Sequence, residues 1–282
     1  MKHKRLKHIL GVMSVATCLV AASGGNAHAI RIDFDEAELP GYGVDITDQL
    51  QAEYGLTLSA SNKNNRNSSK DLWLYNSSCD PSGGCVGGDP DLATGTGSYN
   101  HNGWKIRYNT PDQGNVLIVQ ENNHTPDDDA GGGWINFDFD QAIDFRNIAL
   151  LDLDDGEDPK FEFTFANGAT HEWTFSDNDD EVSFVRDNEN KNWSSKETKD
   201  GETTRKNENN SLREYDFSGL SDDEHDFTQV TGFGVRLPSS GAVAYLEYFR
   251  EVEEPNVKVP EPASLLGLAA VGMFGYRLKR KR

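Results

Sequence analysis

Short runs of alternating apolar and polar residues, each ended by Gly, Asn, Asp or Pro, fill most of this 282-residue chain. Such runs predict β-strands joined by tight turns, because alternate side chains of a strand lie on opposite faces of a sheet. The clearest example is Phe161–Phe165, where three phenylalanines alternate with two polar residues. The next residues, Ala166–Ala169, read Ala-Asn-Gly-Ala, which predicts a hairpin with the following strand.

Strands of this kind recur along the body of the chain, and only Ile46–Tyr54 has the four-residue spacing of a short helix. We therefore predict an all-β fold, a single antiparallel β-sandwich of jelly-roll type over residues 30–252. The strand candidates are Ile30–Phe34, Leu56–Ala60, Leu72–Tyr75, Trp104–Tyr108, Val116–Gln120, Trp134–Phe139, Ile148–Leu153, Phe161–Phe165, His171–Phe175, Val182–Val185, Val230–Leu237 and Val243–Phe249.

One stretch breaks the alternating pattern. Arg186–Ser211 is almost wholly polar, and Trp193 is its only large apolar residue. A segment of this composition cannot bury enough apolar surface to offset the entropy that it loses on ordering. We predict a polar flexible insertion, a long exposed loop or mobile insertion that can include a frayed hairpin around Trp193.

The chain has 27 basic and 47 acidic residues, and its net charge at pH 7 is −20. Nine of the basic residues lie in the two terminal segments, so the body between them carries about −28. A field of that sign repels nucleic acid and anionic membranes, which excludes both as partners of the body. It suits divalent cations, basic partners or a saline medium, and it also serves solubility alone.

Two cysteines lie in the body, Cys79 and Cys85, on either side of an Asp-Pro-Ser-Gly-Gly turn sequence. In an oxidising compartment, this spacing predicts a small disulfide that closes the loop. A zinc site would need more ligands than the stretch offers.

The first 29 residues are typical of a secretory signal peptide. Met1–His8 carries four basic residues, Ile9–Ala22 is apolar, and Ala27–Ala29 supplies the small residues that signal peptidase needs. We predict that the mature protein starts near residue 30. Lipidation at Cys18 is the alternative, although Thr17 departs from the small residue that usually precedes a lipidated cysteine.

The last 24 residues combine three features in a fixed order. Val259-Pro260-Glu261-Pro262 is kept extended by its two prolines, which also lack backbone donors. Ala263–Tyr276 is apolar over about 14 residues, short of the ~20 that cross a bilayer as a helix. A basic cluster then ends the chain and would hold that end in the cytoplasm. The cluster consists of Arg277, Lys279, Arg280, Lys281 and Arg282.

These three features together resemble the PEP-CTERM protein-sorting signal of Gram-negative bacteria. The resemblance implies that the segment inserts transiently into the inner membrane. It also implies that exosortase, a membrane protease-transpeptidase, cuts near Pro-Glu-Pro and releases the protein to the envelope or extracellular matrix. The resemblance covers residues 259–282, and residues 253–258 join them to the body as a linker. A plain membrane anchor or a buried apolar helix is the alternative.

Six segments of the body follow one another in order: Tyr54–Ala60, Gly87–Leu92, Asn115–Glu121, the Asp run with Gly131–Gly133, Ile148–Asp154 and Ser239–Val243. Together they resemble a widespread class of secreted bacterial β-sandwich proteins of uncharacterised type that often carry the same tail. The resemblance implies a fold and no particular activity. The Arg186–Ser211 stretch departs from the pattern of that class.

Acidic loops are the most informative polar feature of the body. Pairs and runs of aspartate stand beside Pro or Gly at predicted strand ends, and Ca²⁺ takes its oxygen ligands from such loops. Jelly-roll carbohydrate-binding modules often carry a structural calcium, which is an analogy of fold. We predict a structural Ca²⁺, with solvated loops that hold no ion as the alternative. The predicted ligands are Asp89, Asp91, Glu121, Asp127, Asp128 and Asp129.

Aromatic residues offer a second kind of site, because glycans stack on exposed Trp and Tyr rings beside Asn and Asp. Most large aromatic residues of the body fall at alternating strand positions, where core packing is expected. Tyr99 and Trp104 lie in the loop-like stretch Gly97–Trp104, so we predict this pair as the exposed glycan-binding side chains.

Signals for catalysis are weak. Paired carboxylates serve glycoside hydrolysis, but pairs arise by chance in so acidic a chain. The sequence has no nucleophile-elbow, metalloprotease or phosphate-loop motif. We therefore expect an exported, non-catalytic protein processed by signal peptidase and exosortase, whose β-sandwich binds calcium and extracellular polysaccharide. A secreted glycan-cleaving enzyme on a jelly-roll fold is the alternative.

Overall fold

The structure is a computed structural model. Ala27–Glu251 form one compact unit, and the second unit consists of Met1–Asn26 with Val252–Arg282, of which only Asn26 and Val252 are described. The described residues are 26–34, 47–79, 90–101, 103–121, 126–153, 158–175, 179–185, 195–199, 202–206, 210–220 and 226–252.

Strands make up nearly all regular structure in these ranges, which confirms the all-β prediction. The one α-helix among them, α1 (Thr47–Tyr54), lies where the four-residue spacing predicts it, and two 3-10 turns cover Pro90–Leu92 and Phe227–Gln229. The strands are β1 (Asn26–Asp33), β2 (Leu56–Asn62), β3 (Asn65–Lys70), β4 (Leu72–Asn76), β5 (Gly95–His101), β6 (Trp104–Thr110), β7 (Asn115–Val119), β8 (Gly133–Leu151), β9 (Lys160–Phe165), β10 (Thr170–Thr174), β11 (Val182–Val185), β12 (Ser195–Lys199), β13 (Glu202–Lys206), β14 (Leu212–Asp216), β15 (Val230–Leu237) and β16 (Ala242–Val252).

Strand β8 organises the larger, twelve-stranded antiparallel sheet. Its first half pairs with β2 and β15, and its second half pairs with β14 and β16. Strands β9 and β10 continue the sheet beyond β15, whereas β7 and β4 continue it beyond β16. The register shifts in β15 and β16 beside β8, and such bulges increase bend and twist. The sheet therefore curls over its own core.

This single long strand differs from the sequence prediction of two strands, Trp134–Phe139 and Ile148–Leu153. The residues between them include no Gly or Pro, and Asp140, Asp144 and Asn147 lie within the strand and do not end it. Because β8 passes from one ladder to the other, the twelve strands form one curled sheet, and the predicted jelly-roll sandwich is not confirmed.

The inner face of the curled sheet is rich in phenylalanine. Phe145 of β8 is fully buried, and its ring centroid lies 4.4 Å from that of Phe233. The rings of Phe163 and Phe217 lie 5.6 and 5.5 Å from it, both edge-on. Such pairs stabilise by about 0.5–1.5 kcal/mol each beyond the burial of their area. All three phenylalanines of β9 are buried, which confirms the strand predicted there.

The predicted hairpin after β9 is also confirmed. Strands β9 and β10 pair in register from Lys160↔Thr174 to Thr164↔Thr170. Gly168 in the turn has a φ of +82°, a value that glycine adopts without steric cost. Phe165 accepts a backbone hydrogen bond from Gly168 at 2.8 Å and closes the turn.

A second sheet has four strands in the order β13-β12-β6-β5. Its core is small: Tyr99, Ile106 and Tyr108 are buried together with Ala93. Strand β5 covers the stretch that the sequence predicts as loop-like, and it forms a hairpin with β6.

Strands β12 and β13 both come from Arg186–Ser211, the stretch predicted to be a polar flexible insertion. They form a hairpin, as that prediction allows, although the strands lie after Trp193. The hairpin is also paired: Ser195–Thr198 run antiparallel to Lys105–Tyr108 of β6. The free edge of β6 supplies hydrogen-bond partners that the polar composition of the stretch cannot reveal.

Asn210 connects the small sheet to the large one. It is fully buried with a φ of +59°, and its Nδ2 donates to the carbonyls of Pro90 and Ala93 at 2.9 and 2.8 Å. Its Oδ1 accepts from the Tyr99 hydroxyl at 3.3 Å. Its backbone carbonyl accepts from the Thr110 hydroxyl. One asparagine therefore fixes β5, β6 and the 3-10 turn against the end of β14.

No helix within the described ranges is long and apolar enough to cross a membrane. The predicted short span Ala263–Tyr276 and the linker at 253–258 lie outside those ranges. Residues 1–25 of the predicted signal peptide also lie outside them, and residues 26–29 form the start of β1.

Candidate functional site

The acidic loop between β7 and β8 holds four of the six predicted calcium ligands. Backbone hydrogen bonds fold it along the end of β7: Glu121 N donates to Asp127 O at 2.9 Å, and Asp129 N donates to Val119 O at 2.8 Å. The Gln120 side chain accepts from Asp127 N at 3.2 Å. The loop is thus an antiparallel extension of β7, which fixes the position of each carboxylate.

Two aspartates of this loop bind groups of the protein itself. Asp129 forms an ion pair with Lys70 at 2.5 Å and accepts from Gly131 N at 2.8 Å. Asp128 is 5% exposed and accepts from Gly241 N in the turn between β15 and β16. The contact with Lys70 joins the loop to β3, and the contact with Gly241 joins it to the β15–β16 turn. Both side chains therefore stabilise the fold.

Asp127, by contrast, lies beside Glu121. Burial raises the pKa of the Asp127 carboxyl, and the charge and hydrogen bond of Glu121 raise it further. Two neighbouring ionised carboxylates repel each other, and a shared proton or a bound cation relieves the repulsion. This pair is the part of the predicted calcium set whose chemistry fits a cation.

The remaining predicted ligands do not extend that pair. Asp91 lies in the 3-10 turn Pro90–Leu92, and Asp89 lies outside the described residues. Within the described ranges, no group of three or more His, Cys, Asp or Glu residues could hold a metal ion. Calcium binding stays a prediction, with Glu121 and Asp127 as its described candidates.

A second buried carboxylate belongs to Asp152, which has a φ of +60° and is 2% exposed. It accepts from Asn210 N at 3.0 Å and from the Ser240 hydroxyl at 3.5 Å. Asp128 and Asp152 therefore hold the turn at Ser240–Gly241 from two sides. The sequence predicts Asp128 as a calcium ligand and places Asp152 in an acidic run, and it reveals neither structural role, because their partners in the turn lie 113 and 88 positions away.

The exposure predicted for Tyr99 is wrong. Tyr99 lies in β5, is 5% exposed, and donates its hydroxyl hydrogen bond to Asn210. Trp104 is half-buried against the same small core, and Lys199 Nζ lies 5.1 Å from its ring centroid. Tyr99 therefore has a packing role that leaves no free ring face for a sugar, and glycan binding by Trp104 stays a prediction.

Cys79 is disulfide-bonded. Its Sγ also lies 3.7 Å from the Tyr75 hydroxyl, against the small core of the four-stranded sheet. The partner predicted for it, Cys85, lies outside the described residues.

A pocket of about 440 Å³ lies beside the β9–β10 turn. Asp226 caps the following 3-10 turn by accepting from Thr228 N at 3.0 Å, so its carboxylate already has a structural partner. The described lining residues are Phe165, Ala166, Asn167, Asp226 and Gln229.

The predicted sorting residues, Val259–Pro262 and the terminal basic cluster, lie outside the described residues. Comparison with protein families nevertheless gives a direct result for this segment: the PEP-CTERM protein-sorting motif matches residues 258–282. The match supports an exosortase substrate and does not identify the type of body. Searches of curated proteins and of solved structures gave no match to the chain.

Proposed function

We propose that this chain is an exported protein whose all-β body acts, without catalysis, in the cell envelope or extracellular matrix of a Gram-negative bacterium. The PEP-CTERM motif at 258–282 carries the proposal, because it implies processing by exosortase and a secreted, envelope-associated product. Signal peptidase would remove residues 1–29. Ala263–Tyr276 would then hold the chain in the inner membrane until exosortase cuts near Pro260–Pro262.

In this proposal the body binds or supports matrix polysaccharide. Two aspartates of the acidic loop already have structural partners, since Asp128 accepts from Gly241 N and Asp129 is paired with Lys70. These contacts favour polysaccharide binding over hydrolysis. A calcium ion at Glu121 and Asp127 would stiffen the loop, since a cation relieves the repulsion between these two carboxylates.

The sorting step is tested by expressing the full chain in a bacterium that has an exosortase. We expect the wild-type chain to lose its Arg-rich end and to leave the inner-membrane fraction. The triple variant Pro260→Ala, Glu261→Ala and Pro262→Ala should remain in the membrane with its C-terminus intact. Fractionation followed by mass spectrometry of the terminal peptides measures both outcomes.

The linker supplies a matched control, because Asn256→Ala changes an uncharged side chain two residues before the matched motif begins at residue 258. This variant should be processed like the wild type. Equal release of the triple variant would overturn the proposed sorting route. So would a cytosolic wild-type chain that keeps both of its ends.

A reducing-sugar assay on the same purified protein tests the non-catalytic part of the proposal. We expect polysaccharides to be retained without new reducing ends, and new reducing ends would favour a glycan-cleaving enzyme.

A further inference from the structure

The four-stranded sheet has an outer face that differs in charge from the rest of the body. In an antiparallel ladder, residues directly opposite one another lie on the same face. Arg107 of β6 pairs with Ser98 of β5 on one side and with Lys196 of β12 on the other, and Lys196 pairs with Arg205 of β13. One row across the sheet therefore carries three basic residues on adjacent strands.

The next row on this face adds a fourth basic residue. Lys105 pairs with Asn100 on one side and with Thr198 on the other, and Thr198 pairs with Thr203. Across these two rows, every position is basic, hydroxylated or an amide, and none is acidic. We call the positions of Lys105, Arg107, Lys196 and Arg205 the basic face.

The excess of basic residues on this face is the reverse of the charge balance of the chain as a whole. Acidic residues outnumber basic ones by 47 to 27 in the sequence, and nine of the basic residues lie in the terminal segments. The opposite face of the same sheet is different again, since it packs Tyr99, Ile106 and Tyr108 into the small core. The pleat therefore places the two cations of β6, Lys105 and Arg107, on the solvent side.

Lys105 and Arg107 are exposed, as are Ser98 and Asn100 beside them. Within the described part of the chain, neither Lys105 nor Arg107 takes part in an ion pair. Other basic residues of the body are neutralised, as Lys70 is by Asp129 and Arg250 by Asp140. The cations of β6 are thus available to a ligand.

We propose that the basic face binds a linear anionic polysaccharide, with its cations contacting the carboxylate or sulfate groups of the sugar chain. This inference deepens the glycan-binding part of the proposed function by naming the face and the charge class of the ligand. Neighbouring strands are ~4.8 Å apart, so the row from Arg107 to Arg205 spans about 10 Å. An extended sugar chain laid across the strands would meet its cations in succession.

The chemistry of the face favours a sugar over a protein partner. Protein interfaces have an apolar or aromatic centre, and the two rows carry neither. Their Ser, Thr and Asn residues instead suit the hydroxyl groups of sugar rings. Screening limits the repulsion from the acidic remainder of the body, because the Debye length is about 8 Å at physiological salt.

Binding is tested with the full chain in detergent, in a background where the five basic residues of the tail are replaced by Gln so that they cannot bind polyanions. The face variant carries Lys105→Gln, Arg107→Gln, Lys196→Gln and Arg205→Gln. The control carries Lys206→Gln, a change at an opposite-face position of the same hairpin. Affinities for polygalacturonate, dextran sulfate, neutral dextran and duplex DNA are measured by biolayer interferometry.

We expect the face variant to bind the two anionic polysaccharides about tenfold more weakly or worse, whereas the control stays within about twofold. Neutral dextran and DNA should bind far more weakly than polygalacturonate. Unchanged affinity in the face variant overturns the inference. Equal binding of DNA also overturns it.

Retention of neutral dextran by both variants would overturn the charged-ligand inference and leave the proposed glycan-binding function standing. Thermal melting of each variant checks the fold. If the fourfold variant has a lower melting temperature than the wild type, the single variants Lys105→Gln and Arg107→Gln are compared with the control instead. Each should bind the anionic polysaccharides about twofold more weakly.

Discussion

Asn210 shows how much one side chain decides at the residue scale. Its amide nitrogen donates hydrogen bonds to two carbonyls, and its amide oxygen accepts one from the Tyr99 hydroxyl. Its own backbone has a left-handed conformation. Asparagine tolerates that backbone better than most residues, because its short polar side chain bonds locally. The attachment of the small sheet therefore depends on a residue that the sequence presents only as one of many polar positions.

Substitution of Asn210 tests this attachment. Asn210→Ala removes three side-chain hydrogen bonds and leaves in the left-handed region a residue that has no polar side chain to offset the backbone strain, so we expect a loss of about 3–5 kcal/mol in the free energy of unfolding. Asn210→Gly removes the same bonds but accepts the backbone, and it should lose about 1 kcal/mol less. Urea denaturation with linear extrapolation measures both values. Wild-type stability in both variants would contradict the proposed role.

At the scale of single elements, β8 is the strand on which the large sheet depends. It pairs with four other strands, and its inward residue Phe145 contacts three other phenylalanines. A strand shared by two ladders transmits any loss of packing to both. Damage to its core position should therefore destabilise the whole sheet.

Phe145→Ala tests this dependence, and we expect it to lower the free energy of unfolding by about 3–5 kcal/mol, since the side chain is fully buried. Phe249→Ala on the neighbouring β16 is the matched control. That ring is half-buried under Arg146, at 4.8 Å, so its loss should cost about 1 kcal/mol. Similar losses in the two variants, measured by urea denaturation, would contradict a core centred on β8.

At the scale of the whole molecule, charge is the dominant feature. The net charge of −20 makes the folded chain repel itself, and added salt should screen that repulsion. The Glu121–Asp127 pair adds a local repulsion that a divalent cation would relieve more effectively than sodium.

Melting temperature separates these two effects. We expect NaCl to raise it, and CaCl₂ at the same ionic strength to raise it further. The double variant Glu121→Gln and Asp127→Asn should respond to the two salts alike, because it lacks both carboxylates. Equal melting temperatures of the wild type in CaCl₂, MgCl₂ and NaCl at matched ionic strength would remove calcium from the proposal.

The sequence by itself determined the local features of this protein. Alternation gave the all-β class, the Ala166–Ala169 turn gave a hairpin, and the tail gave the sorting motif that the family comparison finds at 258–282. These features depend on residues close together in the chain, so a pattern of side chains is enough to predict them.

Only the tertiary structure decided the rest, since it depends on partners far apart in the chain. Pairing across two ladders joins the two predicted strands into one, and the edge of β6 pairs with a polar hairpin that composition alone does not assign to a sheet. The contacts of Asp128 with Gly241 and of Tyr99 with Asn210 likewise join residues more than 100 positions apart. Periodicity records which face of a strand is buried, and it carries no information about which distant strand covers that face.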